Sequence, residues 1–125
     1  MSSFSVAFHN RGDVRVLELK GELDAHTATE FEEAIEMCKS NREFRIIIDG
    51  EHLAYISSAG LGVFMAFVEE IRAEDGDIKI AALTPKVFNV FDLLGFPMLF
   101  DIVGTVEEAV QLFTAGHKAD DQSNH

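Results

Sequence analysis

Two adjacent serines, Ser57 and Ser58, are the residues whose type and position could do chemistry. They stand directly before a helical pattern that opens with Ala-Gly-Leu-Gly, so little side-chain bulk surrounds them. A serine at a helix start either caps the free amides of the first turn or presents its hydroxyl to another molecule. One cap needs one hydroxyl, and here there are two. The pair therefore indicates an accessible hydroxyl at a helix entrance, with helix capping as the alternative.

The predicted helix from Ala59 to Ala73 has two unlike faces. At the 3.6-residue period, one side collects Leu61, Phe64, Met65, Val68 and Arg72, and we expect this side to face the core. The other side begins with small or slim apolar residues, which let another backbone approach closely. We predict that it faces outward as a docking surface around the serines, the alternative being tolerant neighbours of a loop. Its members are Ala59, Gly62, Val63 and Ala66, followed by Glu70.

A second helix entrance is predicted at residues 21–27. In open α/β sheets, the loops at the carboxyl ends of the strands gather at one edge. We therefore expect Glu22 and Asp24 to lie near the serines, together with Asp49 and Glu51 from the segment that precedes them. An acidic edge of this kind suits a cationic partner, whereas ordinary solvated acids are the alternative.

Motifs for catalysis or cofactor binding are absent around the serines. The sequence Ile-Ser-Ser-Ala-Gly lacks the first glycine of the hydrolase pattern Gly-x-Ser-x-Gly, and no Gly-Lys-Ser/Thr follows as in a phosphate loop. The five histidines never fall at i, i+4 on one helix, so a metal site has no support. We expect no catalytic residues, no metal and no cofactor; a small hydrolase that uses Ser58 is the remote alternative.

A response-regulator receiver is a further alternative, because Asp49 could end a central strand. A receiver also needs an acidic pair after its first strand and a lysine after its fifth. The sequence has Phe-His-Asn and Ile-Val-Gly at those places and supplies neither. The receiver alternative therefore fails.

The composition describes one compact acidic domain. The chain has 125 residues, 47% of them hydrophobic, and a formal net charge of −12. This charge repels nucleic-acid phosphates and anionic lipid, so a basic protein surface is the expected partner, with no nucleic acid and no membrane. The single Cys38 excludes an internal disulfide, and no apolar stretch reaches the roughly 20 residues of a membrane span. The N-terminus does not read as an export signal, so we expect a cytoplasmic location.

Hydrophobic periodicity predicts a single α/β domain. Period-2 alternation on both sides of an Arg-Gly-Asp turn signal indicates an antiparallel N-terminal hairpin. Helical and strand patterns then alternate, which is typical of a mainly parallel sheet. We expect a mixed sheet with about four helices, and most of the eleven phenylalanines in its core. The predicted elements after the hairpin are helix 28–39, strand 44–48, helix 59–73, strand 78–82, helix 85–94, strand 99–102 and helix 106–113.

Capping signals and composition mark the element boundaries and the end of the domain. Three helix starts carry such signals: Thr27 with Glu30, Thr84 before Pro85, and Thr105 with Glu108. After Ala115 the sequence is polar and aperiodic. We divide the chain into a domain at 1–114 and a disordered polar tail at 115–125.

Two motifs, in this order and separation, resemble the STAS domain of anti-sigma factor antagonists. The first is Gly21-Glu22-Leu23-Asp24 followed by Thr27. The second runs from Leu53 to Val63 through both serines and the Gly-Leu-Gly element, after the strand Ile46-Ile47-Ile48-Asp49. The resemblance extends from about Phe4 to Phe113, nearly the whole chain. It implies a single STAS-type fold for the predicted domain.

The resemblance also implies a phosphorylation site. In the family, the serine two residues before the first glycine of the Gly-Leu-Gly element is phosphorylated by the partner anti-sigma factor, a kinase. That position is Ser58 here. Asp24 matches an aspartate near the phosphorylation site and would contribute to kinase contact. Family members often have aspartate immediately before the acceptor, where this chain has Ser57, which adds a hydroxyl and removes one negative charge.

The function implied is that of an anti-sigma factor antagonist, a binding module and not an enzyme. The unphosphorylated chain would bind an anti-sigma factor serine kinase and free a sigma factor. Phosphorylation at Ser58 would release the kinase, and a serine phosphatase would reset the chain. The alternative is a STAS interaction module of a transporter or signalling assembly in which Ser58 is only a cap. The predicted partner-binding residues are Glu22, Asp24, Ser57, Ser58, Ala59, Gly62, Val63 and Ala66.

Overall fold

The computed structural model describes the backbone of residues 3–123 and the side chains of residues 3–114. This part of the chain forms a five-stranded mixed sheet and four α-helices, which confirms the predicted fold class. The strands are β1 (Phe4–Arg11), β2 (Val14–Leu23), β3 (Arg45–Ile56), β4 (Asp77–Ala81) and β5 (Ile102–Val103). The helices are α1 (Ala28–Ser40), α2 (Ser58–Ala73), α3 (Pro85–Leu93) and α4 (Val106–Ser123), with a short 3-10 helix at Phe96–Met98.

The sheet has the strand order β1-β2-β3-β4-β5. Strands β1 and β2 form the predicted antiparallel hairpin, and every later neighbour is parallel. The hairpin turns at Gly12, whose φ of 66° lies in the left-handed region that glycine tolerates best. At Gly21, where φ is 102°, a Cβ would stand 1.7 Å from the carbonyl oxygen of Ser3. Glycine is therefore required at position 21, where the carbonyl of Ser3 lies against β2.

Strand β3 is longer than predicted. The sequence pattern predicts that this strand ends near Asp49 and that a link follows, but β3 continues to Ile56. Only the first half, from Arg45 to Asp49, pairs with β4, while the second half pairs with β2 alone. The pairing with β2 shifts register at two places. These irregularities interrupt the period-2 alternation, which is why the pattern does not reveal the second half of the strand.

Helices α1, α2 and α3 cover one face of the sheet, and α4 covers the other. The larger core is centred on Phe64 of α2, whose ring meets the rings of Phe31, Phe91, Phe96 and Phe100 at centroid distances of 5.1 to 6.2 Å, all edge-on. Edge-to-face pairs of this kind stabilise a core beyond the area they bury. The prediction that phenylalanines fill the core is confirmed for this cluster.

The helix ends agree with two of the three capping predictions. Thr84 accepts a hydrogen bond from the N–H of Val87 at 3.3 Å, and Thr105 accepts one from the N–H of Glu108 at 3.1 Å. Helix α4 continues past its predicted end at Phe113. The side chains of the predicted tail, 115–125, lie outside the described residues, so the boundary between domain and tail stays a prediction. In the described part of the chain, no helix combines the length and apolar character needed to cross a bilayer.

Candidate functional site

The first serine, Ser57, is tied into the sheet. Its N–H donates to the carbonyl of Leu23 at 2.9 Å, next to the last pair of the β2–β3 ladder, and its carbonyl accepts from the N–H of Leu61 at 3.1 Å. Ser57 is the N-cap residue of α2, yet its side chain makes no capping bond. Its Oγ is buried and has no partner among the described residues. The capping alternative is therefore wrong for this side chain, and its hydroxyl is out of reach.

The second serine, Ser58, is the first residue of α2 and is exposed. The amides of a first helical turn and the helix dipole favour a negative group at this position, and the first turn of α2 contains no acidic residue. Of the two hydroxyls, only that of Ser58 is therefore both accessible and in a place suited to an anion.

The carboxylate of Asp24 organises the turn that leads into α1. Its Oδ1 accepts hydrogen bonds from the N–H of His26 at 2.8 Å and of Thr27 at 3.2 Å. The buried Thr27 donates its hydroxyl to the carbonyl of Glu22 at 2.8 Å and accepts from the N–H of Asp24 at 2.9 Å. The predicted capping box of Thr27 with Glu30 is therefore wrong, because the hydroxyl of Thr27 bonds the end of β2 instead of the first turn of α1.

The ladder between β2 and β3 brings the two sequence motifs together. Glu22 pairs with Tyr55 and Leu23 pairs with Ile56, so the turn at Asp24 begins next to the serines. Neighbouring strands lie about 4.8 Å apart. The expected proximity of Glu22 and Asp24 to the serines is confirmed. Tyr55 also lies here, 47% exposed beside Glu22; the sequence pattern does not place it at this edge, because its segment resembles a link.

Asp49 and Glu51 do not join this edge. Asp49 pairs with Ala81 of β4, about 20 Å before Ile56 along the extended strand. Together with Glu107, the two acids line a separate crevice of about 450 Å³ at the start of α4. The prediction of one acidic edge with four carboxylates is therefore wrong, because β3 continues beyond the point where it was expected to end.

The exposed face of α2 differs from the prediction at three positions, one of which is Arg72, expected inside but exposed. Gly62 and Ala66 are exposed and Ala59 is partly exposed, as expected. Val63 is buried at 4% exposure, so its placement on the docking surface is wrong, and Met65, expected inside, is 47% exposed. The helix is rotated relative to the predicted face: it packs against α1, and Val63 belongs to the larger core.

Two glycines at the start of α2 have different roles. A Cβ on Gly60 would lie 2.7 Å from Cγ of Leu23 and 2.9 Å from Cγ1 of Ile56, whereas a Cβ on Gly62 would meet nothing within 4 Å. The fold therefore needs glycine at position 60 but not at position 62. Glycine costs a helix about 1 kcal/mol relative to alanine. At Gly62 the chain bears this cost although a side chain would fit, and the missing side chain leaves a flat, accessible surface one turn from Ser58.

The site has the composition of a binding surface. No hydrogen bond joins either serine to a histidine in the part of the chain that the structure describes, and no three metal-ligating side chains of these residues are grouped to hold an ion. What the site presents is an exposed hydroxyl between a small-residue helix face and a fixed aspartate turn. Such an arrangement suits a surface that binds another protein.

Comparison with known proteins also points to a protein-binding module, and it shows the family. The model of the STAS domain matches residues 5–109. An anti-sigma-B factor antagonist of Bacillus subtilis is 27% identical over 103 residues, which cover 82% of this chain and 92% of that protein. The chain belongs to the STAS domain family, and the anti-sigma factor antagonists of that family are binding modules without enzymatic activity.

Solved structures share the fold. An anti-sigma factor antagonist from Mycobacterium paratuberculosis has a TM-score of 0.82 at 24% identity, over 90% of this chain and 95% of that chain. The anti-sigma factor antagonist SpoIIAA in its unphosphorylated form has a TM-score of 0.76 at 24% identity, over 89% and 97% of the two chains. Bacillus SpoIIAA in its phosphorylated form has a TM-score of 0.64 at 26% identity, over 86% and 96%.

Proposed function

We propose that this chain is an anti-sigma factor antagonist switched by phosphorylation at Ser58. In its unphosphorylated form it binds an anti-sigma factor that is a serine kinase, and a sigma factor is freed. The kinase transfers the γ-phosphoryl group of ATP to Oγ of Ser58, leaving ADP, and the complex dissociates. A serine phosphatase removes the phosphate and resets the cycle in the cytoplasm. Relatives named anti-sigma factor antagonists support this role.

The observation that carries the proposal is the difference between the two serines. A kinase must bring the γ-phosphate of ATP into contact with the acceptor hydroxyl. Ser58 is exposed, whereas Oγ of Ser57 is buried and its backbone is bonded to Leu23 of β2. Access to Ser57 would require the start of α2 to separate from the sheet. The structure therefore favours Ser58 as the acceptor, even though the residue before it is serine and not aspartate.

The same position explains why a phosphate would switch binding without unfolding the chain. A phosphoserine carries about −1.5 to −2 charges and three acceptor oxygens. The free amides of the first turn of α2 tolerate this group. A partner that packs closely against Gly62 and approaches Asp24 would meet new bulk and added negative charge, since Asp24 and Glu22 already lie beside the site. Binding should fall while the fold is kept.

The contact surface that we propose is smaller than the set expected from sequence. Its exposed members are Glu22, Ser58, Gly62 and Ala66, with the partly exposed Asp24 and Ala59. The remaining two predicted members act from beneath: Ser57 holds the helix start against β2, and Val63 fills the core under the contact face. The carboxylates at one side of this surface suit a basic partner.

Three variants test the switch. Ser58→Ala removes the acceptor, Ser58→Asp adds one negative charge, and Ser57→Ala keeps the acceptor as a matched control. Affinity for the anti-sigma factor kinase is measured by titration calorimetry with and without ATP, and peptide mapping locates the phosphate. We expect ATP to weaken the binding of wild type and Ser57→Ala strongly but not that of Ser58→Ala, and Ser58→Asp to bind weakly throughout.

Two outcomes would contradict the proposal. Equal, ATP-insensitive affinities for wild type, Ser58→Ala and Ser58→Asp would leave a constitutive interaction module, the alternative without serine switching. A majority of phosphate on Ser57 would mean that the start of α2 opens during the reaction. Circular dichroism of each variant separates these outcomes from unfolding.

A further inference from the structure

The end of α3 and the following turn expose a group of large apolar side chains. We call Leu93, Leu94, Met98 and Leu99 the 93–99 patch; their exposures are 84%, 58%, 89% and 45%. The phenylalanines of the same segment point inward, because Gly95 adopts a left-handed conformation with φ at 77° and redirects the chain. Single exposed apolar residues are ordinary, whereas a contiguous group marks an interaction surface.

The patch is connected to the phosphorylation site along α2. Residues separated by alternating steps of four and three share one helix face. The exposed stripe that begins at the acceptor follows this rule through Ser58, Gly62, Met65, Glu69 and Arg72. At its far end, the guanidinium of Arg72 donates to the carbonyl of Leu99 at 2.6 Å. The stripe therefore leads from Ser58 to the patch over about 21 Å of helix.

We infer that the 93–99 patch, with Met65, is a second contact for the same anti-sigma factor kinase, one that phosphorylation does not affect. This inference rests on the proposed function and names a further part of its interface. The partner surface that fits is an apolar depression with a basic rim. The apolar side chains would supply affinity, and Ser58 would supply the switch.

Charge decides between this partner and a second copy of the chain. The exposed Asp92 directly precedes the patch in the chain, and the exposed Glu69 lies about one turn before Arg72 on α2; together they form an acidic flank. Arg72, which bonds Leu99 of the patch, is itself paired with Asp77 at 2.8 Å. A second copy would bring the same acidic flank and another net charge of −12. A basic protein meets the flank with opposite charge, which steers association and fixes orientation.

The distance along α2 keeps the 93–99 patch away from a phosphate on Ser58. Charges separated by more than about 8 Å through solvent are largely screened at physiological ionic strength. A phosphate on Ser58 therefore leaves the patch unaltered. Sites farther apart than about 10 Å usually contribute additively to binding free energy. The phosphorylated chain then keeps a residual affinity that the patch provides.

The test uses Leu93→Ser and Met98→Ser in the full chain, each with and without Ser58→Asp. Met37→Ser is the matched control, because Met37 is 52% exposed on α1, away from the patch. Affinity is measured with the purified kinase that responds in the Ser58 experiment. We expect each patch variant to bind about tenfold more weakly, about 1.4 kcal/mol, by the same factor in both backgrounds. Met37→Ser should bind within about twofold of wild type.

Hydrogen exchange provides a readout that needs no substitution. Amides from Leu94 to Leu99 should be protected when the kinase binds wild type, and also when it binds Ser58→Asp. Because the substituted residues are exposed, urea unfolding of the patch variants should match that of wild type, so weaker binding cannot come from lost structure.

Three outcomes separate the inference from the proposed function. Patch variants that bind like wild type, while Ser58→Asp still binds weakly, would overturn the inference and leave the switch intact. A wild type that does not bind the kinase would overturn both. A wild-type dimer in sedimentation equilibrium that becomes monomeric in Leu93→Ser would assign the patch to a second copy and overturn the inference.

Discussion

The substitutions Gly60→Ala and Gly62→Ala should distinguish a glycine that the fold requires from one that partner binding requires. Both glycines lie in the first two turns of α2, and both substitutions add one methyl group. At Gly60 the methyl would enter the core, 2.7 Å from Leu23, which is fully buried. At Gly62 it would extend into open space. The same chemical change therefore has opposite consequences at positions two residues apart.

The magnitudes follow from helix propensity and overpacking. Alanine stabilises a helix interior by about 1 kcal/mol over glycine. Overpacking a core costs about 1 to 3 kcal/mol. Gly62→Ala should therefore raise the free energy of unfolding by about 1 kcal/mol. Gly60→Ala should lower it by about 1 kcal/mol once the propensity gain is subtracted. Urea unfolding followed by circular dichroism measures both changes.

Partner binding provides the second half of the test. A methyl at Gly62 would prevent close approach beside Ser58, so Gly62→Ala should be more stable than wild type and yet bind the kinase more weakly. Ala66→Ser, a small polar change on the same face, serves as a control that keeps the surface nearly flat. If Gly62→Ala binds as well as wild type, the exposed face of α2 is not a close contact. A loss of stability in Gly62→Ala would refute the geometry itself.

Two further predictions concern charge. Asp24→Asn should weaken kinase binding more than Glu108→Gln, which lies on the opposite face of the sheet. The loss of affinity should shrink as salt rises, because exposed charges are screened over about 8 Å at physiological ionic strength. Equal affinities of the two variants would contradict this prediction. Burial, reinforced by Glu43, raises the pKa of the Cys38 thiol from 9.0 to about 11. The folded chain therefore keeps the proton that the unfolded chain releases above pH 9. The free energy of unfolding should be constant below pH 9 and fall as the pH rises towards 11. Urea titrations should show this fall in wild type and a flatter pH dependence in Cys38→Ala.

The sequence predicted the fold where local signals agree with one another. The hairpin follows from period-2 alternation around Gly12, and α3 follows from Thr84, Pro85 and an apolar stripe. These signals act within a few residues, so no knowledge of distant contacts is needed. The Phe-rich core follows for the same reason, because the inward stripes of the helices already place the rings on one side.

The errors share a physical cause, which is tertiary contact that a local pattern does not encode. The second half of β3 pairs only with β2, in irregular register, and its polar residues resemble a loop. Val63 is buried in the larger core, and Thr27 fails as a cap because its hydroxyl donates to the carbonyl of Glu22 at the end of β2. The predicted site residues come from two local motifs, whereas their surroundings depend on tertiary contacts that these motifs do not encode.

The β2–β3 ladder also determines where the chain can change length. One residue inserted in β2 or β3 between the first register shift and Ser58 would move the acceptor about 3.3 Å relative to Asp24 and turn the following side chains to the opposite face. The hairpin tip has no such constraint, since nothing lies within 4 Å of a Cβ on Gly12 and the tip is about 30 Å of strand away from the serines. An epitope tag or a fluorescent reporter therefore belongs at the tip, where it does not displace the turn at Asp24 relative to Ser58 at the start of α2.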